Sequence, residues 1–362
     1  MHRTVATVLL VLLAPVARAD DGEGAAVKAI EKWGGKVKRD PKGVVTHVML
    51  RGKTVTDADL KALAPLTGLT DLDLSSTPVT DAGLKHLAPL TKLTALNLGG
   101  TKITDAGPTE LAPLAVLTDL NLSSTQVTDA GLKEVARLRT LVALDLSHTG
   151  VTNAGLGHLT LTKMRSLSLR GTKITDGGLR EIRIMSVSGL DLSGTALTDE
   201  GLKDLGLFEE ITGLDLSDTK VTSNGLKELA SQPTLKFLSL SRTKVGDAGL
   251  KHLAPLKRLE SLYLNGTGVT GTGVKELAPL ERLRILELTG TMVTGGGLKH
   301  LSTLPRLAIL RLSDAAVTDE GLKDIAHLKT LLALDLYRTK VTGAGVAELR
   351  KALPRCDIGW KE

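Results

Sequence analysis

The string Leu69-Thr-Asp-Leu72-Asp-Leu74-Ser-Ser-Thr77-Pro-Val79-Thr80-Asp81-Ala-Gly83-Leu84-Lys-His-Leu87-Ala-Pro-Leu90 returns 24 residues later and keeps returning along the chain. One column holds Thr77, Thr101, Thr125, Thr149, Thr172, Thr195, Thr219, Thr243, Thr267, Thr291 and Thr339, with Lys53 and Ala315 in the same place, which marks 13 coils. A repeat this pervasive in 362 residues argues against two ordinary globular cores. It predicts a stack of identical layers, each too small to fold alone and each sealed by its neighbours. The composition agrees: aromatics are only 2% of the chain, so the core must be aliphatic.

Within a coil, Leu69, Leu72 and Leu74 alternate with polar residues at the period of a strand buried on one face. Thr80-Asp81 then offers a helix N-cap and an acidic first turn, and Leu84, Leu87 and Leu90 form an apolar stripe. Each coil therefore reads as strand, turn and short helix, an α/β solenoid. Two coils, Thr149 to Thr172 and Thr172 to Thr195, are 23 residues long and lack the residue equivalent to Pro89.

The motif L-T-D-L-D-L-S-S-T-P-V-T-D-A-G-L-K-H-L resembles the leucine-rich-repeat family, L-x-x-L-x-L-x-x-N/C-x-L, with Thr in place of the Asn or Cys. This 24-residue threonine variant is similar to repeats of exported bacterial proteins and, more distantly, to repeats associated with F-box proteins. The resemblance implies a horseshoe with a parallel sheet on the concave side, helices on the convex side and a protein-binding role. A threonine hydroxyl makes fewer bonds than an amide, so a looser inner turn is expected.

The chain divides into a signal peptide (1–19), an N-terminal cap (20–43), the coils (44–352) and a capping strand (353–362). Arg3, the apolar run Val5 to Val16 and Ala17-Arg18-Ala19 have the pattern of a secretory signal. The apolar run is too short to span a bilayer. Export to the periplasm or the extracellular space is expected, with no membrane span in the mature chain. Ala25 to Trp33 read as a helix, and the segments flanking Asp40-Pro41-Lys42-Gly43 as a hairpin covering the first coil. Leu353, Cys356 and Ile358 fall on inward strand positions, with Trp360 over the last edge. Cys356 is the single cysteine, so no intramolecular disulfide is available, and a buried apolar role is expected for it.

Register removes the catalytic candidates. His86, His252 and His300 share a helix column, but His252 and His300 sit two coils apart, roughly 10 Å at about 4.8 Å per strand, too far for a shared metal. Gly266-Thr-Gly268-Val-Thr-Gly271 spells G-x-G-x-x-G, yet Thr267 is the ladder residue of its coil and no independent βαβ unit surrounds it. No catalytic residue, metal or cofactor is expected. A column of lysines (Lys85, Lys133, Lys203, Lys227, Lys251, Lys275, Lys299, Lys323) reads as a solvated helix face. A net charge of +6 gives no indication of nucleic-acid binding.

What remains is the concave face. Its N-terminal half is acidic and small: Asp71, Asp73, Asn97, Asp119, Asn121, Asp145, Asp191, Asp215 and Asp218, with Ala95, Ala143, Gly189 and Gly213 between. Its C-terminal half carries Phe237, Arg242, Tyr263, Ile285, Ile309, Arg311, Tyr337 and Arg338. Exposed aromatics beside arginine and isoleucine have the composition of an interface hot spot. The expected role is a non-enzymatic recognition module for a protein ligand, the acidic half steering and the aromatic half anchoring. A polysaccharide ligand, or self-association as an envelope scaffold, is the alternative.

Overall fold

The computed structural model describes residues 21–161, 164–182, 186–208 and 210–361; the segment read as a signal, 1–19, lies outside them. Among the described residues, 15 strands form one sheet in chain order. The first pair, β1 (Lys36–Arg39) and β2 (Val45–Met49), is antiparallel. Every later neighbour is parallel and in step: residue 71 faces 95, then 119, 143, 166, 189, 213, 237, 261, 285, 309, 333 and 357. The two short coils keep this register, 143 facing 166 and 166 facing 189. Burial explains the strictness, because a slip of one residue would turn Leu144, Leu167 and Leu190, all at most 2% exposed, out of the core.

The convex side is tighter than a run of α-helices. Asp81–Leu84 makes one α turn that passes into the 3₁₀ turn Lys85–Leu87, and Asp59–Leu63, Gly107–Leu111 and Gly225–Ser231 are 3₁₀ throughout. Leu84, Leu87 and Leu90, all buried, are spaced by three, a spacing both forms accommodate: Leu132, Val135 and Leu138 repeat it where Asp129–Val135 is α-helical.

The threonine column closes each coil on itself. Thr77 Oγ1 donates to the Leu74 carbonyl at 2.6 Å, and Thr101, Thr125, Thr219 and Thr267 repeat the bond to the residue three earlier. Coil-to-coil bonding instead falls to the aspartate of T-D-A-G. Asp81 accepts from Thr104 N (2.9 Å) and Thr104 Oγ1 (2.6 Å) of the next coil. Asp57, Asp105, Asp129, Asp199, Asp247 and Asp319 hold Thr80, Thr128, Thr152, Thr222, Thr270 and Thr342 in the same way. Thr80 caps the turn and Asp81 stands in its first turn as expected, and the Asp81 carboxylate is in addition a rung between coils.

The glycine of the motif makes room for that rung. A Cβ on Gly83, Gly155 or Gly225 would stand 2.3–2.4 Å from Oδ1 of the preceding coil's aspartate. Where Gly271 and Gly295 replace the aspartate, backbone meets backbone: a Cβ on Gly297 would lie 2.2 Å from the Gly271 Cα. The G-x-G-x-x-G string thus ends on a packing glycine.

The residue before the ladder threonine adopts left-handed backbone in successive coils: Ser76 (φ 56°), Gly100 (71°), Ser124 (54°), His148 (55°), Gly194 (67°), Asp218 (58°), Arg242 (55°), Gly266 (63°) and Arg338 (53°). An L side chain there costs roughly 1–2 kcal/mol, part of which glycine returns as unfolded-chain entropy. Ser124→Gly, at an exposed site, is expected to stabilise the protein by about 1 kcal/mol, read as a higher urea midpoint.

Both ends of the stack are covered. Helix α1 (Asp21–Lys32) buries Ala26 and Ile30, and Trp33 packs against the core. The Asp40 carboxylate accepts from Lys42 N and Val44 N and so shapes the β1–β2 turn. At the far end Ile358 is buried in the last strand, Asp357–Gly359, and Trp360 Nε1 donates to the Val341 carbonyl at 3.1 Å. Cys356 is half-buried against the core, and burial pushes its thiol up to about 11. Since the thiolate is the reactive form, iodoacetamide at pH 8 is expected to alkylate Cys356 about a hundredfold more slowly than a free thiol with a pKa of about 8.5. Comparable rates would contradict that burial.

Candidate binding face

The first and third residues of each three-residue strand point to the concave side, so the sheet presents two rows. One row runs His47, Asp71, Ala95, Asp119, Ala143, Ser166, Gly189, Gly213 and then Phe237; the other runs Met49, Asp73, Asn97, Asn121, Asp145, Ser168, Asp191 and Asp215. Small residues in the first row leave a trough of about 490 Å³ from His47 to Ser168. A shallower hollow of about 280 Å³ continues it to Phe237, whose ring ends the low floor.

The carboxylates of the second row have a structural duty. Asp73 Oδ1 accepts from Ser75 N (2.9 Å) and Ser75 Oγ (2.6 Å). Asp145, Asp191 and Asp215 hold Ser147, Ser193 and Ser217 through the same backbone bond. Asn97 and Asn121 do it for Gly99 and Ser123 with an amide oxygen. The turn needs an acceptor two residues back, as in an Asx turn, and it does not need a charge. Asp71 and Asp119 in the first row accept the Thr70 and Thr118 hydroxyls, and His47 Nε2 lies 3.5 Å from Asp71 Oδ2.

The C-terminal half only partly forms the expected patch. The Phe237 and Tyr263 rings pack with centroids 5.1 Å apart at 47°, and burial, with Glu287 nearby, raises the Tyr263 hydroxyl above its ordinary value. Ile285 and Ile309 face one another in register. Tyr337 stands apart: it is three coils from Tyr263, 44% exposed, with its ring beside Gly359 of the last strand.

The arginines are present but neutralised. Arg242 makes a two-pronged pair with Asp218, and Arg338 makes one with Asp314. Arg311 bridges Glu287 (3.0 Å) and Asp335. Hydrogen bonding from Arg242 holds the Asp218 carboxyl below the usual range, and Asp218 raises Arg242 in return. Glu287, Asp314 and Asp335 were missed in the sequence, although opposite charges one repeat apart in one column are a legible signal.

On the helix side His86 is half-buried, and burial together with Lys61 and Lys85 pulls its pKa down. Among the described residues, no group of three or more His, Cys, Asp or Glu is placed to hold a metal.

The sequence profile described as "Leucine Rich repeat" matches seven segments: 67–88, 90–112, 115–136, 137–159, 160–182, 186–206 and 231–254. No curated protein matches the chain in sequence. Among solved structures, an internalin from Listeria monocytogenes superposes with a TM-score of 0.65 at 21% identity, over 94% of each chain. A leucine-rich-repeat protein of Leptospira interrogans gives 0.54 at 24%, over 82% of this chain and 80% of that one. A TLR13–ssRNA13 complex gives 0.53 at 17%, over 83% and 57%. At these identities the likeness is one of fold: the chain has the architecture of a leucine-rich-repeat solenoid, and seven of its segments match the repeat profile.

Proposed function

We propose that the chain is a non-catalytic recognition protein, exported under the direction of residues 1–19, whose concave face holds a protein ligand. A basic segment of the ligand lies in the trough between Asp71 and Asp215, and an apolar segment rests on Phe237, Tyr263, Ile285 and Ile309. The observation that carries this reading is the continuity of the two surfaces. The carboxylate-lined trough runs along the same strand rows directly into the Phe237 ring. Charge in the first half raises the rate of encounter, and apolar burial in the second slows release. The neutralised arginines act as spacers that keep the ends of the apolar stripe polar. Protein is favoured over polysaccharide because the aliphatic side chains of Ile285 and Ile309 continue the apolar surface of Phe237 and Tyr263 along the strands.

The native asparagines show how to test it. Asp145→Asn/Asp191→Asn/Asp215→Asn keeps the turn acceptor that Asn97 and Asn121 supply while removing three charges. With the ligand captured from the native envelope, this variant is expected to bind at least about tenfold more weakly at low salt, with less salt dependence. Its stability should change by less than about 1 kcal/mol. Unchanged binding by this variant and by Tyr263→Ala would remove the concave face from consideration.

A further inference from the structure

On the concave side Arg242, Arg311 and Arg338 are paired, but a second set of arginines is not. Arg258, Arg282 and Arg306 occupy one column in three successive coils, in the turn just before each strand. Arg284 and Lys236 sit two residues further along, immediately before the strands Ile285–Glu287 and Phe237–Ser239. All five side chains are exposed, and none makes a hydrogen bond or an ion pair among the described residues. Elsewhere the same column carries Gly68, Lys92, Val116, Thr140, Lys163, Ser186, Glu210, Thr234 and Thr330, so three arginines in succession occur in these coils alone. Two carboxylates lie on this edge, Glu260 and Glu281, against the five cations.

We infer that this lateral edge binds an acidic polysaccharide, laid along the stacking direction with its anionic groups against Arg258, Arg282 and Arg306. Coils repeat by translation at about 4.8 Å per strand, so the three arginines offer equivalent charges along a line of about 10 Å, the arrangement a polymer with a repeated anion can follow. Arginine suits carboxylate and sulfate because its planar fork gives two parallel bonds. A folded protein partner would need an apolar or aromatic anchor, and the aromatics of this region, Phe237 and Tyr263, face the concave side. Single-stranded nucleic acid would need ring faces for base stacking, which this edge does not offer. The surface is separate from the trough, so either can fail without the other.

The test uses the whole mature chain with heparin and polygalacturonate as probes, measured by fluorescence anisotropy over a salt series. Two charge-matched variants are compared: Arg258→Gln/Arg282→Gln/Arg306→Gln on the edge, and Lys203→Gln/Lys227→Gln/Lys251→Gln on the helix column. The edge variant is expected to lose about tenfold or more in affinity and to show a shallower salt slope, while the helix variant changes by less than about twofold. Equal weakening of both variants would reduce the effect to net charge and overturn the assignment. So would tighter binding of the wild type to single-stranded DNA or to phosphatidylglycerol vesicles than to either polysaccharide, or no binding to either at low salt.

Discussion

Gly155→Val is expected to destabilise the protein by about 3–4 kcal/mol, although valine is a better helix former than glycine. A Cβ at residue 155 would stand 2.3 Å from Asp129 Oδ1 and 3.0 Å from the Asp129 Cα. The oxygen cannot simply swing away, because Asp129 is fixed by Thr152 N at 2.7 Å and Thr152 Oγ1 at 2.6 Å. Overpacking costs about 1–3 kcal/mol, and losing two bonds to a charged acceptor adds about 1–3 kcal/mol. Asp129→Ala alone should cost about 1–3 kcal/mol by leaving the Thr152 N–H unpaired. Because both changes break the same rung, the double variant Asp129→Ala/Gly155→Val should cost clearly less than their sum. Additive urea midpoints would show that the glycine and the aspartate are not one device.

Leu216→Ala is expected to cost about 3–5 kcal/mol. Leu216 is fully buried in the middle of the stack, and deletion of a buried leucine removes its transfer energy and leaves a cavity that rigid neighbouring layers fill poorly. The position of the loss makes it diagnostic. In a one-dimensional array each coil is stabilised by its neighbours, so a weakened central layer should uncouple the two halves. Hydrogen exchange should accelerate first in the strands Gly189–Asp191, Gly213–Asp215 and Phe237–Ser239. Uniform acceleration from end to end would indicate a single cooperative unit.

The sequence and the structure agree where burial dictates the pattern, and diverge where polar side chains choose between partners. Leucine spacing was enough for the strand rows and their stacking, because one slipped residue exposes a whole aliphatic row. The spacing of three in Leu84, Leu87 and Leu90 marked the convex turn but not its form, which is α in some coils and 3₁₀ in others. Asp81 was legible only as an acid near a helix start, since a sequence does not show that its nearest donors, Thr104 N and Oγ1, lie in the following coil. The glycine of T-D-A-G becomes intelligible only once that carboxylate is in place. On the candidate face, Phe237, Tyr263, Ile285 and Ile309 come together as their strand positions require. Arg242, Arg311 and Arg338 were read without their carboxylates, which lie one coil away, and Tyr337 lies three coils from the Tyr263 ring with which it was grouped.

The claim that the concave face is the recognition surface can be tested residue by residue by hydroxyl-radical footprinting of the chain alone and with its captured ligand. Phe237, Tyr263 and Ile285 should be protected in the complex. Met292, which is 60% exposed and off the concave rows, should react as before. Protection of Met292 and the helix column, with Phe237, Tyr263 and Ile285 unchanged, would contradict the account.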